Sequence, residues 1–124
     1  MAEKILIVDD SVSMRQMAQI VLKQNGYEIV QAQDGKEALS TFNEEIDVVV
    51  TDLNMPNLDG IELIKSIRGG SVNTRVPIIM LTTESEETKK QEGKKAGATA
   101  WLTKPFNKDA LLKVLHKVTG DVSF

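Results

Sequence analysis

Cysteine is absent from the 124 residues, which removes disulfides, thiolate metal ligands and cysteine nucleophiles from consideration. No apolar stretch approaches the roughly 20 residues that cross a bilayer. The opening Met1-Ala2-Glu3-Lys4 runs straight into a strand-like segment, without the longer apolar region and cleavage site of a secretory signal. A cytoplasmic location is expected. An excess of positive charge is also lacking: the formal net charge is −3, which argues against non-specific nucleic-acid binding. Repeats and low-complexity tracts are missing too. What is present, 41% hydrophobic and 27% charged residues, is the balance of a globular domain. A chain of this length forms one domain with a substantial core, expected over 1–120 with 121–124 as a short tail.

Apolar runs alternate with segments of helical period from one end to the other, the mark of βαβ units around a parallel sheet. Five of each are expected. Strands are placed at 4–8, 28–32, 47–51, after Pro77, and at 100–103. The first helix starts at Ser11 or Ser13, carries Met14, Ala18, Val21 and Leu22 on one stripe, and ends at Gly26. The second follows the Asp34-Gly35 turn and directs Ala38, Leu39 and Phe42 inward. A third presents Ile61, Ile64 and Ile67 and stops at Gly69-Gly70. The fourth, about 86–96, has almost no apolar face, and Gly93 costs it about 1 kcal/mol relative to alanine, so it should be the least anchored. The fifth buries Leu111, Leu112, Leu115 and Val118. Strands one, three and four are uninterrupted aliphatic runs and belong in the middle of the sheet. Right-handed crossovers with strands two and five at the edges permit the order 2-1-3-4-5, a doubly wound, flavodoxin-like α/β fold.

Chemistry collects at the ends of those strands. Asp9 and Asp10 follow Ile5-Leu6-Ile7-Val8, Asp52 follows Val48-Val49-Val50-Thr51, Thr82 follows Ile78-Ile79-Met80-Leu81, and Lys104 precedes Pro105. Parallel strands would bring these groups to one crevice at the carboxyl edge, where ligands bind in open α/β sheets. Crowded carboxylates repel by roughly 4 kcal/mol per pair at 4 Å with an effective dielectric near 20, so the site needs a cation. Mg²⁺ suits it, being a hard ion that takes one or two carboxylates plus a substrate phosphate. One carboxylate is then left as a nucleophile able to form an aspartyl phosphate, and Asp52 on the central strand is the candidate. Mg²⁺ and Lys104 would neutralise the phosphoryl oxygens, and the Thr82 hydroxyl would bind another of them.

Each residue also has a plainer reading. Asp9-Asp10 could be a helix cap, Lys104 a solvated lysine, Thr82 a strand end and Trp101 a packing residue. The pairs Lys89-Lys90 and Lys94-Lys95 read as a solvated helix face, and His116 as a surface histidine. Convergence on one crevice favours the site over these readings, and it carries a further expectation that the Lys104-Pro105 bond is cis.

The series Leu6-Ile7-Val8-Asp9-Asp10-Ser11, Asp52-Leu53-Asn54-Met55-Pro56-Asn57-Leu58-Asp59-Gly60, Thr82 and Lys104-Pro105-Phe106 resembles the receiver domain of two-component response regulators. The resemblance runs from about Lys4 to Val118. It implies a CheY-like fold and a signalling switch in place of an enzyme, with Asp52 accepting a phosphoryl group from a histidine kinase. It implies Mg²⁺ held by Asp9 or Asp10, Asp52 and the backbone carbonyl of Asn54. Thr82 and Trp101 are then expected to move together and remodel the face made by helix four, strand five and helix five. Met14-Arg15, Asn54, Glu84 and the expected lack of an output domain are most similar to chemotaxis regulators within the family. Asn54 and Glu84 occupy the positions that tune loss of the phosphoryl group. The partners implied are a CheA-like histidine kinase, a target such as a flagellar motor switch component, and a phosphatase. A monomer without nucleic-acid or membrane partners is expected. Trp101 stands where tyrosine is usual, and Ser11 replaces an aromatic residue often found after the acidic pair.

Other functions fit less well. An aspartate-nucleophile phosphatase would want a second acid two residues after Asp52, where Asn54 stands. A flavodoxin-like electron carrier would repel FMN phosphate with Asp9 and Asp10. A stand-alone phosphorelay intermediate, passing its phosphoryl group to a histidine phosphotransfer protein, is not separated from the chemotaxis reading by sequence.

Overall fold

The computed structural model describes residues 3–82, 87–103 and 108–118. Within them five strands alternate with five helices: β1 (Lys4–Val8), α1 (Val12–Gln24), β2 (Glu28–Ala32), α2 (Gly35–Thr41), β3 (Val48–Thr51), α3 (Gly60–Arg68), β4 (Ile78–Thr82), α4 (Glu87–Ala96), β5 (Ala100–Thr103) and α5 (Lys108–Val118). The strands form one parallel sheet in the order β2-β1-β3-β4-β5. This is the expected flavodoxin-like architecture, with the aliphatic strands central and the more polar β2 and β5 at the edges.

Alternation along each strand divides the core into two layers. Leu6, Val8, Val49, Ile78 and Met80 pack on one face with Ala38 of α2 and Leu63, Ile64 and Ile67 of α3. Ile5, Ile7, Val48, Val50, Ile79 and Leu81 pack on the other with Ala18 and Leu22 of α1 and Leu111 and Leu115 of α5. Strands covered on both sides read as continuous aliphatic runs for this reason. Ser11 caps α1 by accepting from the Met14 amide at 3.3 Å, which settles its start.

Two features depart from expectation or extend it. Leu39 does not face the core but is 39% exposed. It sits about 100° round the helix from Ala38, and Ala38 with Phe42, four residues apart, takes the contact with the sheet. On α4 only Gly93 is buried among the described side chains, in keeping with a weakly anchored helix. Arg68, at the end of α3, holds the neighbourhood together. Its Nη1 donates to the carbonyls of Thr74 and Val76 at 2.8 and 2.6 Å, and Nε and Nη2 both donate to Gly97 O at 3.1 and 2.8 Å. Burial pulls the pKa of this guanidinium down, so the charge is held by those carbonyls rather than by solvent. No helix of the described residues is long and apolar enough to cross a membrane.

Candidate functional site

Register builds the site. Val8 of β1 pairs with Thr51 of β3, so the next residues, Asp9 and Asp52, leave the sheet side by side, and the Asp52 amide donates to Val8 O at 2.9 Å. Carboxylate oxygens of Asp9, Asp10 and Asp52 all lie within 4.8 Å of one another. Asp9 is buried, with 4% of its surface exposed, Asp52 is half-buried, and Asp10 is open to solvent. A buried carboxylate needs hydrogen-bond donors. Asp9 Oδ1 accepts from the Ser11 amide at 2.9 Å, and Asp52 Oδ1 accepts from the Leu53 amide at 2.8 Å. Arg15, one turn into α1, donates through Nη1 to the backbone carbonyl of Asp9.

The loop after Asp52 doubles back on itself. Leu58 donates to Pro56 O at 2.7 Å and Gly60 to Leu53 O at 2.9 Å. A Cβ on Gly60 would sit 2.3 Å from Asp52 O, so only glycine permits this closure. Asp59 then starts α3 with a reciprocal cap, accepting from the Glu62 amide at 2.8 Å while its own amide donates to Glu62 Oε1 at 3.0 Å. Asn54 stands exposed in this loop, two residues beyond Asp52.

Three hard oxygen donors so close together suit a divalent cation with a preference for oxygen. Separated by 4.8 Å, two such charges repel by about 3.5 kcal/mol at an effective dielectric of 20 and by about 0.9 kcal/mol in bulk water. A bound cation reverses the sign of that balance. Mg²⁺ therefore fits the residues present.

The structure thus brings Asp9, Asp10 and Asp52 together. Thr82 closes β4 opposite Thr103 of β5, at the same edge of the sheet. The Thr82 side chain, Glu84, and Lys104-Pro105 with its expected cis bond lie outside the described residues, as does the 121–124 tail. His116 is exposed near the end of α5, which runs back toward the opposite edge.

Trp101, on β5 beside Met80, is half-buried against the α2–α3 layer. Its Nε1 is buried and has no hydrogen-bond partner among the described residues. The ring lies against α4 at Gly93, where a Cβ would come within 2.8 Å of the Trp101 Cζ3. A groove of about 300 Å³ opens beside it, lined in part by Glu87, Lys90, Lys94 and Thr99.

Sequence reasoning missed three residues. In the sequence Arg15 gives no sign of supporting the acid pair, Asp34 announces only a turn, and Asn57 is only part of a motif. Asp34 is 8% exposed. One of its oxygens caps α2 by accepting from the Glu37 amide at 2.8 Å, and the other accepts from Asn57 Nδ2 at 2.9 Å. Those donors, the Glu37 amide first, hold its pKa below the ordinary value.

Comparison with known proteins agrees with this geometry. The family model of the response regulator receiver domain matches residues 5–116. A chemotaxis protein CheY homolog of Campylobacter jejuni is 38% identical over 120 residues, covering 94% of this chain and 92% of that protein. The solved structure of the chemotaxis response regulator CheY4 of Vibrio cholerae superposes with a TM-score of 0.87 at 48% identity, covering 95% of this chain and 99% of that one. The receiver domain of a Pseudomonas aeruginosa sensor histidine kinase, solved with a magnesium ion coordinated in its active site cleft, superposes with a TM-score of 0.88 at 28% identity, covering 98% of this chain and 100% of that one.

Proposed function

This chain belongs to the response regulator receiver domain family, and on that premise we propose that it works as a chemotaxis switch whose phosphoacceptor is Asp52. A receiver domain is a phosphorylation-dependent signalling switch rather than a true enzyme, and its family implies a histidine kinase as donor. The observation that carries the assignment to Asp52 is the cluster of three carboxylates within 4.8 Å at the ends of β1 and β3.

In the proposed step a carboxylate oxygen of Asp52 attacks the phosphorus of a phosphohistidine. The O–P bond forms as the P–N bond breaks, and the imidazole nitrogen keeps the electron pair and takes up a proton. The Leu53 amide orients the attacking carboxylate by holding Oδ1. Asp9 or Asp10, Asp52 and the carbonyl of Asn54 would hold Mg²⁺, which when bound neutralises charge on the phosphoryl oxygens. Lys104 adds a second positive charge, and the Thr82 hydroxyl donates to a phosphoryl oxygen. Thr82 ends β4 and Trp101 lies on the neighbouring β5, so a shift of one is passed to the face of α4, β5 and α5 where the target docks. Asn54 and Glu84 tune the lifetime of the phosphoryl group. Similarity to two chemotaxis proteins supports the chemotaxis reading, for which a flagellar motor switch component is the proposed target and the cytoplasm the proposed setting.

The likeness to a receiver domain of a sensor histidine kinase favours one second reading, a relay that hands the phosphoryl group onward. A phosphorylated form persisting for hours rather than seconds would select it. The primary test is mass spectrometry after incubation with acetyl phosphate and Mg²⁺. Wild type is expected to gain one phosphoryl group and Asp52→Asn none; no gain in the wild type, or an equal gain in the variant, ends the assignment.

A further inference from the structure

The two loops that carry the acids are not held only by the strands beneath them. Both are bonded to a third segment, Ala32 to Gly35, between β2 and α2, which contributes no candidate ligand. The amide of Asp9 donates to Ala32 O at 3.1 Å, fastening the acid pair on one side. On the other side Asn57 Nδ2 donates to Asp34 Oδ2 at 2.9 Å, fastening the middle of the loop that runs from Asp52 to Gly60. Asn57 is in the left-handed region at φ +69°, a conformation that asparagine tolerates and that most residues do not. The loop lies so close to α2 that a Cβ on Gly35 would meet Leu58 O at 2.5 Å and Leu58 Cβ at 2.8 Å. Asp34 is buried and charged, so its bond to Asn57 is a charge-assisted one in a largely dry setting.

From this arrangement we propose that Asp34 and Asn57 are positioning residues for the cation site: their bond sets how closely the loop bearing Asp52 and Asn54 approaches Asp9 and Asp10. The inference rests on the reading of the acidic cluster as a Mg²⁺ site. Residues that orient ligands without touching the metal commonly change affinity 10- to 100-fold when lost.

Two variants separate the tether from other effects. Asp34→Asn keeps a good N-cap for α2 but leaves at most a neutral amide–amide bond to Asn57 in place of the charge-assisted one. Asn57→Gly removes the tether with no change of charge while still accepting a positive φ. Asn73→Gly serves as the control. Asn73 is also left-handed, at φ +48°, and its Nδ2 donates to Asn43 O at 3.1 Å and Ile46 O at 2.8 Å, but at the amino edge of the sheet, away from the acids.

Titration calorimetry with MgCl2, paired with thermal melts, reads the outcome on the full chain. Asp34→Asn and Asn57→Gly are each expected to weaken Mg²⁺ binding about tenfold. Asn73→Gly should lower the melting temperature and leave the affinity unchanged. Wild-type affinity in Asp34→Asn and Asn57→Gly, or an equal loss in Asn73→Gly, overturns the positioning role. Absence of Mg²⁺ binding by the wild type overturns the reading of the acidic cluster itself, and the two failures are thereby distinct.

Discussion

Gly93→Ala puts one methyl group where the structure has no room for it. The new Cβ would lie 2.8 Å from Trp101 Cζ3, about 1 Å inside ordinary carbon contact. In an exposed helix the change would stabilise by about 1 kcal/mol. If the indole keeps its place, overpacking costs about 1–3 kcal/mol. If the ring leaves, it gives up roughly 100–150 Å² of apolar burial, about 3 kcal/mol. Departure also releases to water the buried Nε1–H, which has no partner among the described residues, and this returns about 1–2 kcal/mol. With the helix gain counted, departure comes out within about 1 kcal/mol of zero, and it is the cheaper route wherever the α4 backbone cannot yield. Stability should therefore barely change while the indole becomes exposed. Trp101 is the only tryptophan, so emission reports this one ring. The variant should emit further to the red and be quenched more readily by acrylamide, with a urea midpoint close to wild type. Unchanged emission together with a gain of about 1 kcal/mol would show that Gly93 makes no room for the ring.

Mg²⁺ should raise the melting temperature of the wild type, and Asp52→Asn should raise that of the metal-free protein by removing two of the three carboxylate repulsions, at least about 2 kcal/mol, twice the bulk-water repulsion of one pair; a melt indifferent to Mg²⁺ counts against the cluster as a cation site. Asp34 has a folded pKa below its ordinary value near 3.8, so its contribution to stability is complete above that value and lost as pH falls through the lower folded one. Acid denaturation of Asp34→Asn should accordingly be shallower below about pH 4 than that of the wild type, and parallel curves would refute the linkage. Arg68→Ala strips donors from the carbonyls of Thr74, Val76 and Gly97 and should cost about 3 kcal/mol in urea unfolding, with Arg68→Lys recovering little, because one ammonium cannot span three acceptors. A loss below about 0.5 kcal/mol would mean that water replaces those bonds.

Strand order was legible because β1, β3 and β4 are covered on both faces and therefore carry unbroken aliphatic runs, whereas β2 and β5 are not. The same regularity exposed the acids: each follows directly on such a run, and parallel register then places Asp9 beside Asp52. Leu39 was misplaced because a seven-residue helix admits more than one apolar stripe, and which one faces the sheet depends on where Phe42 lands. The Asp34–Asn57 bond was beyond sequence reasoning for a different reason. An Asp-Gly pair and an asparagine in a loop announce backbone turns, but a side-chain partner 23 residues away depends on how two loops stack. Gly93 shows the limit most clearly. Read along the helix it is a defect, and only contact across to β5 shows what it accommodates.

Among the described residues, the hydrogen bonds that tie α4 to its surroundings lie at its carboxyl end. Arg68 grips Gly97 O, the Gly97 amide bonds back to Gly93 and Lys94, the Ala98 amide bonds to Gly93, and Gly93 is the helix's one buried residue among those described. Residues 93–98 are thus a fulcrum, and the stretch toward Glu87 is the arm of a lever. The six residues from Glu87 to Glu92 span about 9 Å, so a tilt of about 10° leaves the fulcrum in place and carries the Glu87 end through roughly 1.5 Å.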